Sequence, residues 1–169
     1  MTDDWAIELL SRRHDRTAFD CGVAALDDFL KKHARQNAEQ DVSRTYAAAR
    51  PPSSAVLGFY SICADSIDLE DLPRGAARGL PRYSVPTAKL ARLAVDRSAQ
   101  GKGVGGGLLT DALARIARLA DEIGICAVTV DAKAAEVRDF YLKFGFEPLL
   151  DDELHLFMFV RTIRQMDLG

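Results

Sequence analysis

Five glycines within seven residues, Gly101, Gly103, Gly105, Gly106 and Gly107, stand between an apolar run ending in Leu93-Ala94-Val95 and a helical pattern beginning at Leu108. Each glycine costs backbone entropy on folding, so a turn or helix cap accounts for one of them but not for five. Main-chain N–H groups can converge on one point where no side chain intervenes, and a helix N-terminus adds partial positive charge. With Arg97 and Lys102 adding full charges, residues 97–107 read as a loop that binds the phosphates of a nucleotide-bearing ligand, ahead of a helix that starts at Leu108.

The rest of the chain sets the loop in a fold. Residues 5–10 read as a first strand, and Asp20-Cys21-Gly22 open an amphipathic helix to about Gln40, with Leu26, Phe29, Leu30, His33, Ala34 and Asn37 on its apolar face. Residues 45–49 and 55–64 flank Pro51-Pro52-Ser53-Ser54 as an antiparallel hairpin. Residues 70–86, rich in proline and glycine, read as an irregular connection before a central strand at 89–95. Beyond the loop come a helix with Leu109, Ala112, Leu113 and Ile116 on one face and a buried strand at 125–130. A second amphipathic helix at about 135–144 and strands at 146–150 and 155–160 complete the pattern. The order β-α-β-β-β-α-β-α-β-β predicts an α/β fold with a mixed sheet and helices on both faces, in which 89–130 form one right-handed βαβ unit. At 169 residues, with 48% hydrophobic and 28% charged side chains, the chain fits one globular domain, 1–169.

Two nucleotide patterns compete for the loop. The Walker sequence G-x-x-x-x-G-K-[ST] is absent. Gly101-x-Gly103-x-x-Gly106 matches the dinucleotide fingerprint, and Asp131 could then hold a ribose. A doubly wound sheet would need several more βαβ units after that point, and residues 132–169 read as one helix and an antiparallel pair. The dinucleotide reading fails for lack of chain.

Gln100-Gly101-Lys102-Gly103-Val104-Gly105, between a strand ending in Leu-Ala-Val and a long helix, resembles the pyrophosphate motif of the GCN5-related N-acetyltransferases (GNAT). Phe140-Tyr141-x-x-x-Gly145-Phe146 is similar to a second signature of that superfamily. Phe19-Asp20-Cys21-Gly22, Leu26-Asp27-Asp28-Phe29-Leu30, Ala91-Arg92-Leu93-Ala94-Val95-Asp96 and Arg138-Asp139 extend the likeness to the acetyltransferase toxins of bacterial toxin–antitoxin pairs. The resemblance implies a mostly antiparallel sheet with a splayed parallel strand pair, and acetyl-coenzyme A as co-substrate. It puts Leu93, Ala94 and Val95 beside the pantetheine arm. Arg97, Gln100, Gly101, Lys102, Gly103, Val104, Gly105 and Gly106 then meet the pyrophosphate, with Phe140 also lining the donor. It implies that the Val95 N–H meets the oxyanion and that Tyr141 protonates the departing thiolate. A phenol of pKa about 10 carries its proton at neutral pH, as that role requires. By helical spacing alone Tyr141 would equally be an aromatic of the apolar face.

No general base stands out, since His14 and His33 lie in the N-terminal segment and His155 in a late strand. The toxin likeness makes one unnecessary: the α-amino group of an aminoacyl-tRNA, of pKa near 8 and lowered further by esterification of its carboxyl, is already largely neutral. Charge distribution fits such an acceptor. The net charge is −3, yet residues 73–102 hold seven basic side chains against Asp96 alone. Arg74, Arg78, Arg82 and Arg92, with Lys31, Lys32 and Arg35 of the first helix, are candidates for tRNA backbone contacts. Ordinary solvated charge is the competing explanation for each.

The resemblance further implies a ribbon-helix-helix antitoxin as partner, operator DNA reached through that complex, and a homodimer. Two other activities share these motifs: acetylation of a small amine or protein N-terminus, and a binding module that acts mainly in a repressor complex. Cys21, Cys63 and Cys126 are widely spaced, which suggests neither a disulfide framework nor a metal site. The acidic N-terminus, Met1-Thr2-Asp3-Asp4-Trp5, lacks a signal pattern, and no run reaches membrane-span length, so a cytoplasmic location is expected.

Overall fold

The computed structural model describes residues 5–168; residues 1–4, part of the acidic N-terminal stretch read above, lie outside the described residues. Along the chain run β1 (Ala6–Leu9), α1 (Ala24–Asp28), a π-helical turn (Phe29–His33), α2 (Ala34–Glu39), β2 (Arg44–Ala49), β3 (Val56–Ile67) and β4 (Val85–Val95). They are followed by α3 (Val104–Leu119), β5 (Ala127–Asp131), α4 (Ala135–Lys143), β6 (Glu147–Pro148), β7 (His155–Phe159) and α5 (Val160–Gln165), with 3-10 turns at Leu69–Asp71 and Arg97–Ala99. Hydrogen bonds order the strands β1-β2-β3-β4-β5-β7-β6. The β1–β2, β2–β3, β5–β7 and β6–β7 pairs are antiparallel, and β4–β5 is parallel. The mixed, mostly antiparallel sheet expected from the sequence is present, with its one parallel pair.

Internal contacts divide the chain into two compact units: residues 1–63 with 91–112, and residues 64–90 with 113–169. In the first, Phe19, Phe29, Leu30, Ala34, Ala47, Val56, Phe59 and Ala94 form a buried cluster. The Phe59 ring meets Phe19 edge-on at 5.5 Å and stacks on Phe29 at 6.1 Å. Each such large apolar side chain contributes about 2 kcal/mol by leaving water.

The N-terminal helix departs from the single amphipathic helix predicted. In its π-helical turn the Ala34 N–H donates to Phe29 O, five residues back. The extra residue per turn buries the adjacent Phe29 and Leu30 together with Ala34, and rotates His33 off the predicted apolar face into solvent. Leu26, Phe29, Leu30 and Ala34 do face the core as predicted.

Helix α3 begins at Val104, four residues before the predicted start, so Gly105, Gly106 and Gly107 are its first turn rather than loop. Gly101 and Gly103 do take the left-handed backbone of a turn, at φ +75° and +85°. Bare N–H groups do not require irregular backbone. A helix already leaves its first N–H groups without internal acceptors, so a helical glycine presents them as well. Gly107 has a separate reason to be small: a Cβ there would overlap the Trp5 indole.

In the second unit Ile67, Leu72, Val85, Ala127, Leu149, Phe157 and Phe159 form the buried cluster. The parallel register pairs Thr87–Lys89 with Ala127–Thr129. β6 is shorter than the predicted 146–150, because Pro148 has no N–H to donate and the Leu150 N–H turns instead to Asp71 O at 2.7 Å. The predicted last strand stops at Phe159, and Val160 opens α5, whose Val160 and Ile163 are buried three residues apart.

One glycine of the first unit is fixed by close backbone approach. A Cβ on Gly58 would lie 2.9 Å from Ala94 O and 2.8 Å from Leu108 Cδ1, and the carbonyl belongs to a strand that cannot retreat. Gly58→Ala is therefore expected to cost about 1–3 kcal/mol through overpacking. A thermal melt checks it, with a loss of roughly 2–4 °C per kcal/mol for a chain of this size.

A candidate phosphate loop and a buried tyrosine

β4 runs past its last pair with β5 at Lys89 and ends in Leu93 and Val95, both half-buried, on either side of the buried Ala94. The next peptide is held at both ends. The Asp96 N–H donates to Leu57 O at 2.8 Å, and Val95 O accepts from Gln100 Nε2 at 2.9 Å. Asp96 then caps the 3-10 turn, accepting from the Ser98 N–H at 3.0 Å and the Ser98 hydroxyl at 2.6 Å. Its other oxygen accepts from the Asp20 N–H at 2.9 Å. Partial burial opposes ionisation of Asp96. The hydrogen bonds from Ser98 and Asp20 and the charge of Lys31 outweigh it and hold the carboxyl below its usual range.

Gln100 takes a different part from the one the motif implies. Its Nε2 donates to Val95 O and, at 3.2 Å, to Cys21 O, so the side chain braces the turn. Arg97 is tied to the same segment while staying exposed: its main-chain N–H donates to Asp20 O at 2.9 Å, and its guanidinium lies 3.3 Å from the Asp20 carboxylate. Lys102 is exposed. Past the turn, the Gly107 N–H makes the first α-helical bond, to Gly103 O at 3.0 Å. The N–H groups of Val104, Gly105 and Gly106 therefore precede any internal acceptor of α3. The Cβ directions of Gly101 and Gly103 are open, with no atom within 4 Å. N–H groups without a helical acceptor, open Cβ directions at Gly101 and Gly103 and a helix dipole give this turn the features of an anion site.

The second signature has a structural explanation in α4. Gly145, at φ +103°, follows the last turn; its N–H donates to Leu142 O and the Phe146 N–H donates to Tyr141 O. These are the two bonds of a Schellman cap, and the Phe146 ring closes the motif against Tyr141 at 5.4 Å. Phe140 packs edge-on against Tyr141 at 5.1 Å and is half-buried. Tyr141 is buried, and loss of hydration pushes its phenol well above the ordinary value. Its proton is held tightly at every physiological pH.

Asp131 serves an ion pair rather than a ribose: Lys89 Nζ lies 2.7 Å from one oxygen and His155 Nε2 3.7 Å from the other. His155 Nδ1 faces Asp151 at 3.0 Å. His14 is buried, with Nδ1 accepting the Ser11 N–H. Among the described residues no group of three or more His, Cys, Asp or Glu side chains is placed to hold a metal, and no helix is long and apolar enough to cross a membrane.

The basic residues divide between the units. In the first, Lys31 is exposed, Lys32 faces Asp28 at 3.4 Å, and Arg35 lines a groove with Leu9, Leu10 and Arg44. Arg92 lies 3.7 Å over the Phe29 ring, half-buried, a packing role the sequence did not show. Lys31 shares a cavity of about 480 Å³ with Arg12, Arg13 and Arg16. Segment-averaged charge concealed that cluster, because residues 1–50 hold eight basic and nine acidic groups. In the second unit Arg74 and Arg82 line one cavity, and Arg78 is exposed.

The acetyltransferase (GNAT) domain family matches residues 41–148. The tRNA-acetylating toxin of Mycobacterium tuberculosis is 40% identical over 157 residues, covering 93% of this chain and 93% of that protein. The probable toxin TacT of Sinorhizobium fredii is 38% identical over 162 residues, covering 91% and 90%. The chain is a GNAT acetyltransferase.

Solved structures of this acetyltransferase family superpose along nearly the whole length. AtaT complexed with acetyl-methionyl-tRNAfMet is 32% identical at a TM-score of 0.90, covering 96% of this chain and 98% of that one. A Tyr-to-Phe mutant of AtaT bound to the C-terminus of the antitoxin AtaR and acetyl-CoA is 32% identical at 0.82, with the same coverage. The KacTA–DNA complex is 29% identical at 0.81, covering 95% and 96%. Acetyl-CoA is thus the co-substrate of the family.

The Asp96 brace generates a pH dependence. A folded carboxyl below the unfolded value of about 3.9 adds stability that is complete above that pH and is lost as pH falls through the folded value. Thermal melts from pH 7 to pH 2 should show the wild type losing melting temperature more steeply in acid than Asp96→Asn.

Proposed function

We propose that this protein transfers acetyl from acetyl-CoA to the α-amino group of an aminoacyl-tRNA and so arrests translation, as the toxin of a toxin–antitoxin pair. The observation that carries the reading is whole-length likeness: 40% identity over 93% of the chain to a tRNA-acetylating toxin. The site chemistry supports it. The N-terminus of α3 binds the pyrophosphate of the donor through the backbone of Gly101 to Gly106, with the Cβ directions of Gly101 and Gly103 open. Arg97 and Lys102 add positive potential beside it. Leu93, Ala94 and Val95 receive the pantetheine arm along the end of β4, and Phe140 adds apolar cover.

In the transfer the neutral amine attacks the thioester carbonyl, forming the C–N bond. The carbonyl oxygen takes up negative charge, and the Val95 N–H stabilises it. The C–S bond breaks, and the thiolate takes the proton of the Tyr141 hydroxyl. The amine releases its own proton to solvent, and the phenolate regains one. Tyr141 holds its proton throughout the physiological range, as a proton donor must before the thiolate forms. No histidine is assigned as base: His33 is exposed, and His14 and His155 are engaged with Ser11 and with Asp131 and Asp151. The α-amino group of an aminoacyl ester needs none.

The exposed Lys31, Lys32, Arg74, Arg78 and Arg82, with Arg35 and Arg92, contribute a phosphate-directed attraction for the RNA. The structural neighbours' complexes with an antitoxin and with DNA support a cognate antitoxin and a DNA-bound complex. The antitoxin is of ribbon-helix-helix type in this proposal, and operator DNA is reached through it. The toxin works as a homodimer in the cytoplasm.

Incubation with acetyl-CoA and charged total tRNA, followed by mass spectrometry of the released aminoacyl groups, is expected to show N-acetylated amino acids. Tyr141→Phe should lower kcat by about 10²–10³-fold, the scale of general-acid catalysis. Unchanged turnover would remove Tyr141 from the chemistry. The raised phenol gives a second expectation: kcat/KM should show no alkaline fall up to about pH 10, where an ordinary tyrosine ionises.

A further inference from the structure

The connection between β3 and β4 has so far contributed only the charge of its arginines. From Pro73 to Ser84 it carries Arg74, Arg78 and Arg82 and no acidic side chain. It is not loose chain. Leu72 is buried, Ala76, Ala77 and Leu80 pack onto the same apolar cluster as Leu149, and the Leu150 N–H donates to Asp71 O. Its outer side forms an open cavity of about 1050 Å³ lined by Arg74, Arg82 and Tyr83, with Asp68 and Glu70 on its rim. Tyr83 is 70% exposed, the most exposed of the large apolar and aromatic side chains described. Among the described residues no ion pair or hydrogen bond engages Arg74, Arg82 or Tyr83, so two guanidinium groups and a phenol ring stand ready together.

An exposed aromatic between unpaired guanidinium groups is the arrangement that receives an unstacked nucleobase. The ring supplies a stacking face, the cations meet the flanking phosphates, and carboxylates on the rim accept from exocyclic base amines. The geometry points to this cavity as the site for single-stranded nucleotides at the 3′ end of the acceptor RNA, with Tyr83 stacking on a base and Arg74 and Arg82 on the backbone. This rests on the proposed acetylation of aminoacyl-tRNA. It assigns a reader of the unpaired end, apart from the duplex phosphates that any basic patch attracts. The cavity is fastened at Leu150, four residues beyond the Phe146 that closes the Schellman cap over Tyr141, so the second unit carries both the proton donor and the base platform. Arg78, which shares the charge but does not line the cavity, adds only general attraction.

The test uses the full-length protein and two uncharged acceptor-stem RNAs of identical duplex, one with an unpaired 3′ overhang and one blunt, with binding read by fluorescence anisotropy. The wild type should prefer the overhang RNA by about tenfold, the scale of one base–aromatic stack. Tyr83→Ala should abolish that preference by weakening the overhang RNA alone, and Tyr83→Phe should keep it. The slope of log affinity against log salt should change for Arg74→Gln and Arg82→Gln and stay constant for Tyr83→Ala. The inference is overturned if Tyr83→Ala leaves the preference intact, if it weakens both RNAs equally, or if it alters binding of the antitoxin while RNA binding is unchanged. Acetylation of charged tRNA by the wild type is measured in parallel, so failure of the parent reading shows as no transfer, whereas failure of this one shows as transfer without the overhang preference.

Discussion

The turn from β4 into α3 depends on polar ties to a segment more than seventy residues earlier. The Asp96 carboxylate accepts from the Asp20 N–H, and the Gln100 amide donates to Cys21 O, while both groups also satisfy the turn itself through Ser98 and Val95. Removing either group would leave main-chain donors or acceptors unpaired at the place where β4 stops and α3 starts. Everything that makes the loop an anion site follows from that bracing. The helix begins at Val104, its first N–H groups have no acceptor within the helix, and the Cβ directions of Gly101 and Gly103 are open. Leu93-Ala94-Val95 and Phe19-Asp20-Cys21-Gly22 are thus two sides of one hydrogen-bonded structure, although the chain separates them widely.

Tyr141 occupies a comparable position in the second unit. Its carbonyl and its ring are both members of the cap that ends α4, because the Phe146 N–H bonds to the first and the Phe146 ring packs on the second. The same closure that stops the helix removes water from the phenol and raises its pKa. The structural place of the tyrosine and its proposed part in proton transfer therefore do not compete. Burial of the ring keeps the hydroxyl protonated throughout the physiological range.

Much of this was legible in the sequence, and the failures have specific causes. The mixed sheet, the strand before the loop and the α4 signature follow from periodicity and from glycine positions. The start of α3 was misplaced because helical glycines and loop glycines look alike in one dimension, and Trp5, which keeps Gly107 small, lies a hundred residues away. His33 was placed on the wrong face because a π-helical turn has no signature beyond two adjacent bulky apolar residues, Phe29-Leu30. Gln100 and Arg97 could be placed at the loop but not oriented, since their partners belong to the Asp20-Cys21 segment. Arg12, Arg13 and Arg16 were hidden by the acidic residues averaged with them, and Tyr83 by having no periodic context.

The central claim is that the braced turn and the α3 N-terminus recognise the phosphates of the acetyl donor. Isothermal titration of the protein with acetyl-CoA and with acetyl-pantetheine, which keeps the thioester arm and lacks the pyrophosphate and nucleotide, tests it most directly. Two charge-assisted hydrogen bonds at about 1.5 kcal/mol each predict at least a ~100-fold preference for acetyl-CoA that shrinks with added salt. Equal affinity for the two compounds, or a preference indifferent to salt, would contradict the account.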